Sequence, residues 1–452
     1  MNEKQLESIK SLTNTLVIAG AGSGKTFTII NKINYLIENN LYKKNEILVI
    51  SFTNESVTDI KNKIKYPNID VKTFHKLGLD LIKNNNIHIV PNNYLNYIIN
   101  EYLNSYGKYH YLTNKRIKRI LKEIDLQNFQ KLIYTFINIY KSNYPNINYL
   151  FNLYQKHYFI TKDYLKILLD IYTIYQNELL SSGLLDFNDM INEATININN
   201  NTIKTNYKYI IIDEFQDTSQ TRFNLINAII KQNNAKLFAV GDDYQSIYRF
   251  NGCNLDIFLN LKSFLPDLKI INLDYNYRNN QTLINIANHF ISKNPKQIQK
   301  HTICIKDNPK PIKICFYHDN KTIINKAIPQ IDSHITILGR NNIDKENYQI
   351  EENDKIRFLT IHSSKGLEDD NIIIVNLENK SNSIPSRIKN HYLLDLIIDK
   401  DKYPDEEERR LFYVALTRSR NNVYLLVPYH NYSPFIKELI KDYKKSIEFY
   451  YY

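Results

Sequence analysis

The segment Ala19-Gly20-Ala21-Gly22-Ser23-Gly24-Lys25-Thr26 follows directly on the apolar run Thr15-Leu16-Val17-Ile18. A strand that runs into a glycine-rich turn ending in Lys-Thr is a phosphate-binding arrangement. Its backbone N–H groups close around phosphates, and the helix that follows points its positive end at them. Lys25 is placed to reach the β- and γ-phosphates of a nucleotide such as ATP, and the Thr26 hydroxyl to bind Mg²⁺. Ala19 opens the loop where the common pattern has Gly, which marks a subclass. A second run, Ile210-Ile211-Ile212-Asp213-Glu214-Phe215-Gln216-Asp217, is a buried strand ending in adjacent acids. At the C-terminal edge of a parallel sheet these acids face the phosphate loop. Asp213 then holds Mg²⁺ through water, and Glu214 orients or deprotonates an attacking water. Paired acids at a strand end are otherwise a common turn; the upstream loop is what gives them a ligand.

These groups need a frame. The first 80 or so residues alternate strand and helix, with strands at 15–19, 47–51 and 71–74 and a helix over 25–37. Strand signals fade over 86–183, where amphipathic stretches such as 115–121 and 164–180 predict helices. Short apolar strands return at 209–212 and 236–240, and a second α/β block starts near 270, with strands at 335–338, 372–375 and 423–426. The expected organisation is a first lobe from 1–85 and 184–269, a helical insertion at 86–183, and a second lobe over 270–452. His301, Cys304, Cys315 and His318 have metal-like spacing, but 302–317 also reads as two strands around the loop Asp307-Asn308-Pro309-Lys310-Pro311. Small buried hydrophobes in a hairpin is the better reading of those cysteines.

Composition bounds the class. The formal charge is +11, and the pI of 9.1 suits a polyanionic partner. The chain is also crowded with Asn, Ile, Lys and Tyr, so A/T-rich coding bias accounts for the Lys excess equally well. Glycine runs against that bias, yet Gly20, Gly22, Gly24, Gly241, Gly252 and Gly366 all fall inside candidate motifs. Three cysteines without a C-x-x-C, no bilayer-length apolar run and no signal-peptide core lead us to expect a soluble protein of a reducing intracellular compartment, cytoplasm or nucleus, with viral origin open.

The run Gly241-Asp242-Asp243-Tyr244-Gln245-Ser246-Ile247-Tyr248-Arg249-Phe250-Asn251-Gly252 makes a likeness specific. Together with Asp213–Asp217 it resembles the UvrD/Rep/PcrA family of superfamily-one DNA helicases. Further family motifs stand in order: Gln5, Ser51-Phe52-Thr53-Asn54, Thr73-Phe74-His75, Leu185-Asp186-Phe187-Asn188-Asp189 and Asn276-Tyr277-Arg278, then 360–368 and 407–420. The resemblance covers nearly all of the chain except 90–183 and implies two RecA-like parallel-sheet motor lobes with a helical insertion in the first. It implies that Gln5 reads the adenine edge, Tyr277 stacks on the ring and Glu368 touches the ribose. Gln245 would couple the γ-phosphate to the nucleic acid, with Arg278 and Arg418 as arginine fingers. Phe52, Asn54, His75, Tyr248, Phe250, Thr360 and His362 would line a single-stranded DNA track, where base stacking is insensitive to sequence. The implied activity is ATP-dependent 3′–5′ translocation and unwinding at single-strand/duplex junctions, with a loading or processivity partner protein and no membrane.

The chain departs from the family in places. Phe250 stands where Trp is common, and the protein contains no Trp. Asn251 replaces a commonly basic residue. Only a short stretch separates Arg340-Asn341 from Thr360, where relatives hold an accessory subdomain, and a short Lys/Tyr-rich tail without a fused nuclease is expected beyond Pro428. Three other readings stay open: an ATPase that clears proteins from DNA without unwinding, an RNA motor, and a non-catalytic binding module. The last would predict a ruined catalytic position, yet Lys25, Asp213, Glu214, Gln245 and Arg418 all stand.

Overall fold

The computed structural model describes residues 1–82, 88–91, 93–106, 109–144, 146–328, 331, 333–398 and 403–452. Two six-stranded parallel sheets carry the architecture. The first has the order β3-β2-β6-β7-β1-β8, built from β1 (Thr15–Ala19), β2 (Ile47–Ser51), β3 (Asp70–Thr73), β6 (Tyr209–Ile212), β7 (Lys236–Gly241) and β8 (Lys269–Leu273). Its central strands are apolar throughout because both faces are covered. Leu16, Ile18, Leu48, Ile50, Ile210 and Ile212 pack one face. Val17, Ala19, Ile47, Val49, Tyr209 and Ile211 pack the other. This two-residue period fixes the register, since a one-residue slip would exchange the two cores.

The second sheet has the order β13-β12-β14-β15-β11-β16. Its strands are β11 (Ile312–Tyr317), β12 (Ile335–Gly339), β13 (Ile356–Thr360), β14 (Asp369–Ile374), β15 (Ser419–Pro428) and β16 (Ile447–Tyr451). Two parallel-sheet lobes of α/β type are therefore present, as expected.

Several details differ from the sequence expectation. β8 pairs with β1, so the first sheet extends past 269, the boundary drawn between the lobes. The hairpin expected over 302–317 does not form. β10 (Ile303–Lys306) instead runs parallel to β9 (Tyr275–Asn280), and β11 pairs in parallel with β15 and β16. Two alternating strands close in sequence looked like a hairpin, but each found a partner in a separate sheet. Cys304 and Cys315 thus lie in different sheets, and among the described residues no cluster of three or more His, Cys, Asp or Glu side chains could hold a metal. Beyond Pro428 the chain is not a tail: the helix Pro434–Tyr443 buries Phe435, Ile436 and Leu439, and β16 closes the sheet edge.

The insertion is helical, with its core on helices such as Leu126–Asn143 and Phe159–Ser181. At its base β4 (His88–Ile89) pairs with β5 (Leu184–Leu185). Its core is not made by the insertion alone. Leu393, Leu394 and Ile397, from the second lobe between β14 and the helix Glu406–Leu416, are buried in it. No helix among the described residues is long and apolar enough to cross a membrane.

Candidate functional site: an interlobe cleft and an aromatic track

β1 ends at Ala19 and the chain turns through the glycine-rich loop into the helix Lys25–Glu38. Gly22 and Gly24 take left-handed backbone with φ of 69° and 84°. At Gly22 the space is closed as well: a Cβ would lie 2.6 Å from Arg278 Cβ and 2.8 Å from Asn276 Oδ1. Neither L side-chain geometry nor room for one exists there. The loop is clamped by the Asn276-Tyr277-Arg278 run, through Tyr277 N–H to Gly22 O at 2.8 Å and Asn276 Nδ2 to Ala21 O at 2.7 Å.

A cleft of about 840 Å³ opens over this loop. Gly20, Ala21, Gly22, Ser23, Gly24, Lys25, Thr26, Asp213, Glu214, Gln245, Tyr277, Arg278, Glu368 and Arg418 all line it. Ala19 is fully buried beneath, as the last residue of β1. Gln5 does not line the cleft: it is buried behind Gly24 in a helix whose capping box it completes, where Asn2 N–H donates to its Oε1 and its own Nε2 donates to Ser23 O at 3.3 Å. Tyr277 is 44% exposed, and its hydroxyl accepts from Asn2 Nδ2 at 3.1 Å. Gln5, Gly24 and Tyr277 therefore lie side by side, with the Gln5 amide bonded to Asn2 and Ser23 and the Tyr277 ring stacked on Tyr275 at 6.4 Å.

The acids follow β6. Lys25 Nζ lies 2.5 Å from Glu214 Oε1. Glu214 has φ of 50°, an unusual backbone for a non-glycine residue and a strain that recurs at functional positions. Burial raises the proton affinity of both carboxyls. For Glu214 the ammonium groups of Lys25 and then Lys365 outweigh it and hold the group below the usual range. Asp213, facing the charge of Glu214, goes up. The Asp213 carboxyl and Thr26 hydroxyl face one cleft, a hard-oxygen donor set that fits Mg²⁺.

The second lobe supplies the far wall. Arg418 is 2% exposed and donates to Gln245 Oε1 at 3.0 Å, Val414 O at 3.0 Å and Leu367 O at 3.2 Å. Burial, then the like charge of Arg278, pushes its pKa down to about 9, so it stays charged at neutral pH. Arg278 donates to Glu368 at 2.5 Å and to Thr417 O at 3.2 Å. Glu368 is also gripped by Arg420 at 2.8 Å, so it stands in the cleft as the centre of an ion-pair cluster. The lobes are further tied by Lys365, which donates to Asp217 at 2.5 Å and to Gln245 O at 2.6 Å. Arg410 donates to Ser246 O at 2.7 Å, and Arg249 pairs with Glu407 at 3.0 Å.

The expected DNA-contacting residues fall into two groups. Phe52 packs edge-on to Phe74 at 5.5 Å, with the Arg222 guanidinium 5.2 Å from the Phe52 ring. His75 lies 4.4 Å from Phe187, and Asn54 is exposed at the start of the helix Asn54–Lys63. The second group joins the lobes. Phe250, 49% exposed, lies 5.3 Å from His362, and the Tyr248 hydroxyl donates to His362 O at 3.0 Å. Thr360 ends β13, its hydroxyl 2.9 Å from Ser363 Oγ. Burial pushes the pKa of both His75 and His362 down to about 4, so each is a neutral ring at physiological pH.

Four participants were missed in the sequence. Phe187 and Lys365 stood inside family motifs without a role, and Phe187 is exposed beside a half-buried His75. Asn276 gave no signal beyond its place beside Tyr277. Lys141 is buried between Asp186 at 2.6 Å and Asp189 at 2.7 Å, fixing the Phe187 turn from the helical insertion. Nothing local marked that lysine.

Residues 1–266 match the model of the UvrD/REP helicase N-terminal domain, and 318–430 that of the UvrD-like helicase C-terminal domain. DNA helicase IV of Escherichia coli (strain K12) is 25% identical over 94% of this chain and 68% of its own length. The ATP-dependent DNA helicase Rep of Buchnera aphidicola subsp. Acyrthosiphon pisum is 29% identical over 74% of the chain and 51% of Rep. The ATP-dependent DNA helicase PcrA of Leuconostoc citreum is 27% identical over 77% of the chain and 48% of PcrA. The chain thus spans about half the length of the Rep and PcrA relatives it matches. The first of the two domain models alone takes in more than half of the chain, and its span holds the phosphate loop, the Asp213–Glu214 pair and Gln245, so this chain belongs to the UvrD/Rep helicase family.

Proposed function

We propose that this chain is an ATP-dependent DNA helicase that moves 3′ to 5′ along single-stranded DNA, hydrolysing ATP in the cleft between its lobes. One observation carries the reading. Arg418 of the second lobe reaches Gln245 of the first within the cleft that also holds Lys25 and Glu214.

The geometry supports the following roles. Gln5 and Tyr277 take the adenine, and the Gly20–Thr26 turn and Lys25 take the phosphates. Thr26 and Asp213 would hold Mg²⁺, which would supply charge neutralisation on the phosphates. Lys25 has an alternative partner in Glu214; when the ammonium turns to phosphate, Glu214 loses the stronger of the two ammonium charges that hold its proton affinity down, and Lys365 remains. Its affinity then rises toward that of a useful general base for water. Arg278 and Arg418 stabilise charge on the γ-phosphate, which makes hydrolysis depend on lobe closure. Phe52, Asn54, His75, Phe187, Tyr248, Phe250, Thr360 and His362 grip bases and backbone. Neutral histidines and aromatic faces suit stacking without base readout. Gln245 lies between the two sites, bonded to Arg418 and three residues from Tyr248.

The test is unwinding of 3′- and 5′-tailed duplexes with ATP, alongside ATP turnover with DNA and RNA oligomers. Unwinding of the 3′-tailed duplex only, with turnover stimulated by DNA and abolished by Lys25→Ala, is the expected outcome. Turnover unaffected by Lys25→Ala refutes the assignment. A second reading is favoured by the linker between β12 and β13, which holds only the short helix Asp344–Asn347. With no folded subdomain there, the chain would translocate and displace bound proteins without separating strands; stimulated turnover without unwinding would select it.

A further inference from the structure

Lys300 lies between the helix Gln281–Ser292 and β10, outside the family motifs, and its side chain is 7% exposed. Its ammonium contacts Asp242 Oδ1, lies 2.5 Å from Asp243 Oδ1, and sits 3.5 Å from the centre of the Tyr244 ring. Both carboxylates are wholly buried. Each has a second task. Asp242 Oδ2 accepts from Gln245 Nε2 at 2.6 Å, and Asp243 Oδ2 accepts from Ile298 N–H at 2.9 Å. The Gln245 amide is thereby oriented: its nitrogen faces Asp242, and its oxygen faces Arg418 at 3.0 Å. Tyr244, beneath the ammonium, packs edge-on to Tyr413 at 5.2 Å, in the helix that ends just before Arg418.

We propose that Lys300 is a positioning residue for ATP hydrolysis, acting through Asp242 on the Gln245 amide. This rests on the reading of Gln245 as the γ-phosphate sensor. A buried carboxylate stays ionised only when a cation or several donors compensate it. Without the Lys300 ammonium, the buried Asp242 and Asp243 carboxylates lose the cation that both contact. Asp242 then holds Gln245 less firmly, and the amide is free to rotate away from the Arg418 side. The ammonium is engaged by Asp242 and Asp243 rather than by the phosphate loop, although the residue lines a small cavity that Gly20, Ala21 and Ser23 also border. Its loss therefore acts on turnover and leaves nucleotide affinity in place.

The experiment measures DNA-stimulated ATP turnover of the full chain for Lys300→Met, Gln245→Ala and the two combined. The charge-matched pair Lys300→Met/Asp243→Asn is added because Lys300→Met strands two buried charges and is open to misfolding. Thermal melting reports folding for each. The expected result is a fall in kcat of at least about tenfold for Lys300→Met and for the charge-matched pair, with KM for ATP within about threefold. Adding Lys300→Met to Gln245→Ala should lower kcat no further, the signature of two residues acting as one unit. A folded charge-matched variant with parental kcat overturns the proposal. So does a combined variant in which the two losses multiply. If the parent itself does not turn over ATP, the functional reading fails instead.

Discussion

Replacing Arg418 by lysine tests the two-walled site most directly. Arg418 makes hydrogen bonds to Gln245 Oε1, Val414 O and Leu367 O, and it is almost wholly buried. Alanine would leave those three acceptors without their donor, at about 1–3 kcal/mol each, so loss of activity could reflect loss of fold. Lysine keeps the charge and most of the stem, so the second lobe should melt within a few degrees of the parent. What lysine lacks is the planar fork that serves Val414 O and Leu367 O while presenting a further N–H to the cleft. An arginine finger contributes roughly 10³–10⁵ in rate, so its removal should raise the barrier by at least about 4 kcal/mol. The assay is ATP turnover at saturating single-stranded DNA, with single-strand affinity measured separately by fluorescence anisotropy. We expect kcat to fall about a thousandfold with strand affinity nearly unchanged. Stimulated turnover of Arg418→Lys within about threefold of the parent would refute the claim that the second lobe completes the site.

Gly22→Ala should raise KM for ATP at least about tenfold, because the new Cβ would collide with Asn276 and Arg278 on a left-handed backbone; equilibrium titration with a fluorescent nucleotide checks this. Phe250→Ala should weaken single-stranded DNA binding by roughly 1–3 kcal/mol, the contribution of one stacked base, whereas Phe250→Trp should tighten it. Anisotropy at fixed salt reads both. His75 and His362 have folded pKa values of about 4 against an ordinary 6.5, so the unfolded chain binds more protons between those limits. Stability should therefore rise with pH from 4 to 6.5 and be lost on acidification through that window, as read by urea melts. Replacing both histidines by Gln should flatten that slope, while DNA affinity of the parent should stay level between pH 6 and 8.

Parts of this outcome were legible because the signal was local. The strand at 15–19, the helix beginning at Lys25 and the buried run 209–212 depend on neighbours in sequence, and all formed where read. The stretch 302–317 misled because alternation shows that a strand has two faces and says nothing of its partner. Cys304 and Cys315 consequently ended in separate sheets. The residues past Pro428 misled for a related reason: Tyr450 and Tyr451 look like polar tail composition until β11 offers an edge for them to pair with. Lys141 and Lys300 were invisible, since a lysine among so many acquires meaning only from the carboxylates that surround it.

The sequence by itself determined the types of chemistry. A glycine-rich turn before Lys25-Thr26, acids after an apolar strand and arginines in a lysine-rich chain are covalent facts that survive any packing. Tertiary structure alone decided their pairing. Lys25 meets Glu214 across 189 positions of chain, and Arg418 meets Gln245 across 173. It also decided that Leu393 and Ile397 of the second lobe complete the core of the first lobe's insertion. The physical reason is one of range. Backbone propensity acts over a few residues, whereas burial of charge and apolar surface depends on every segment that reaches the same place.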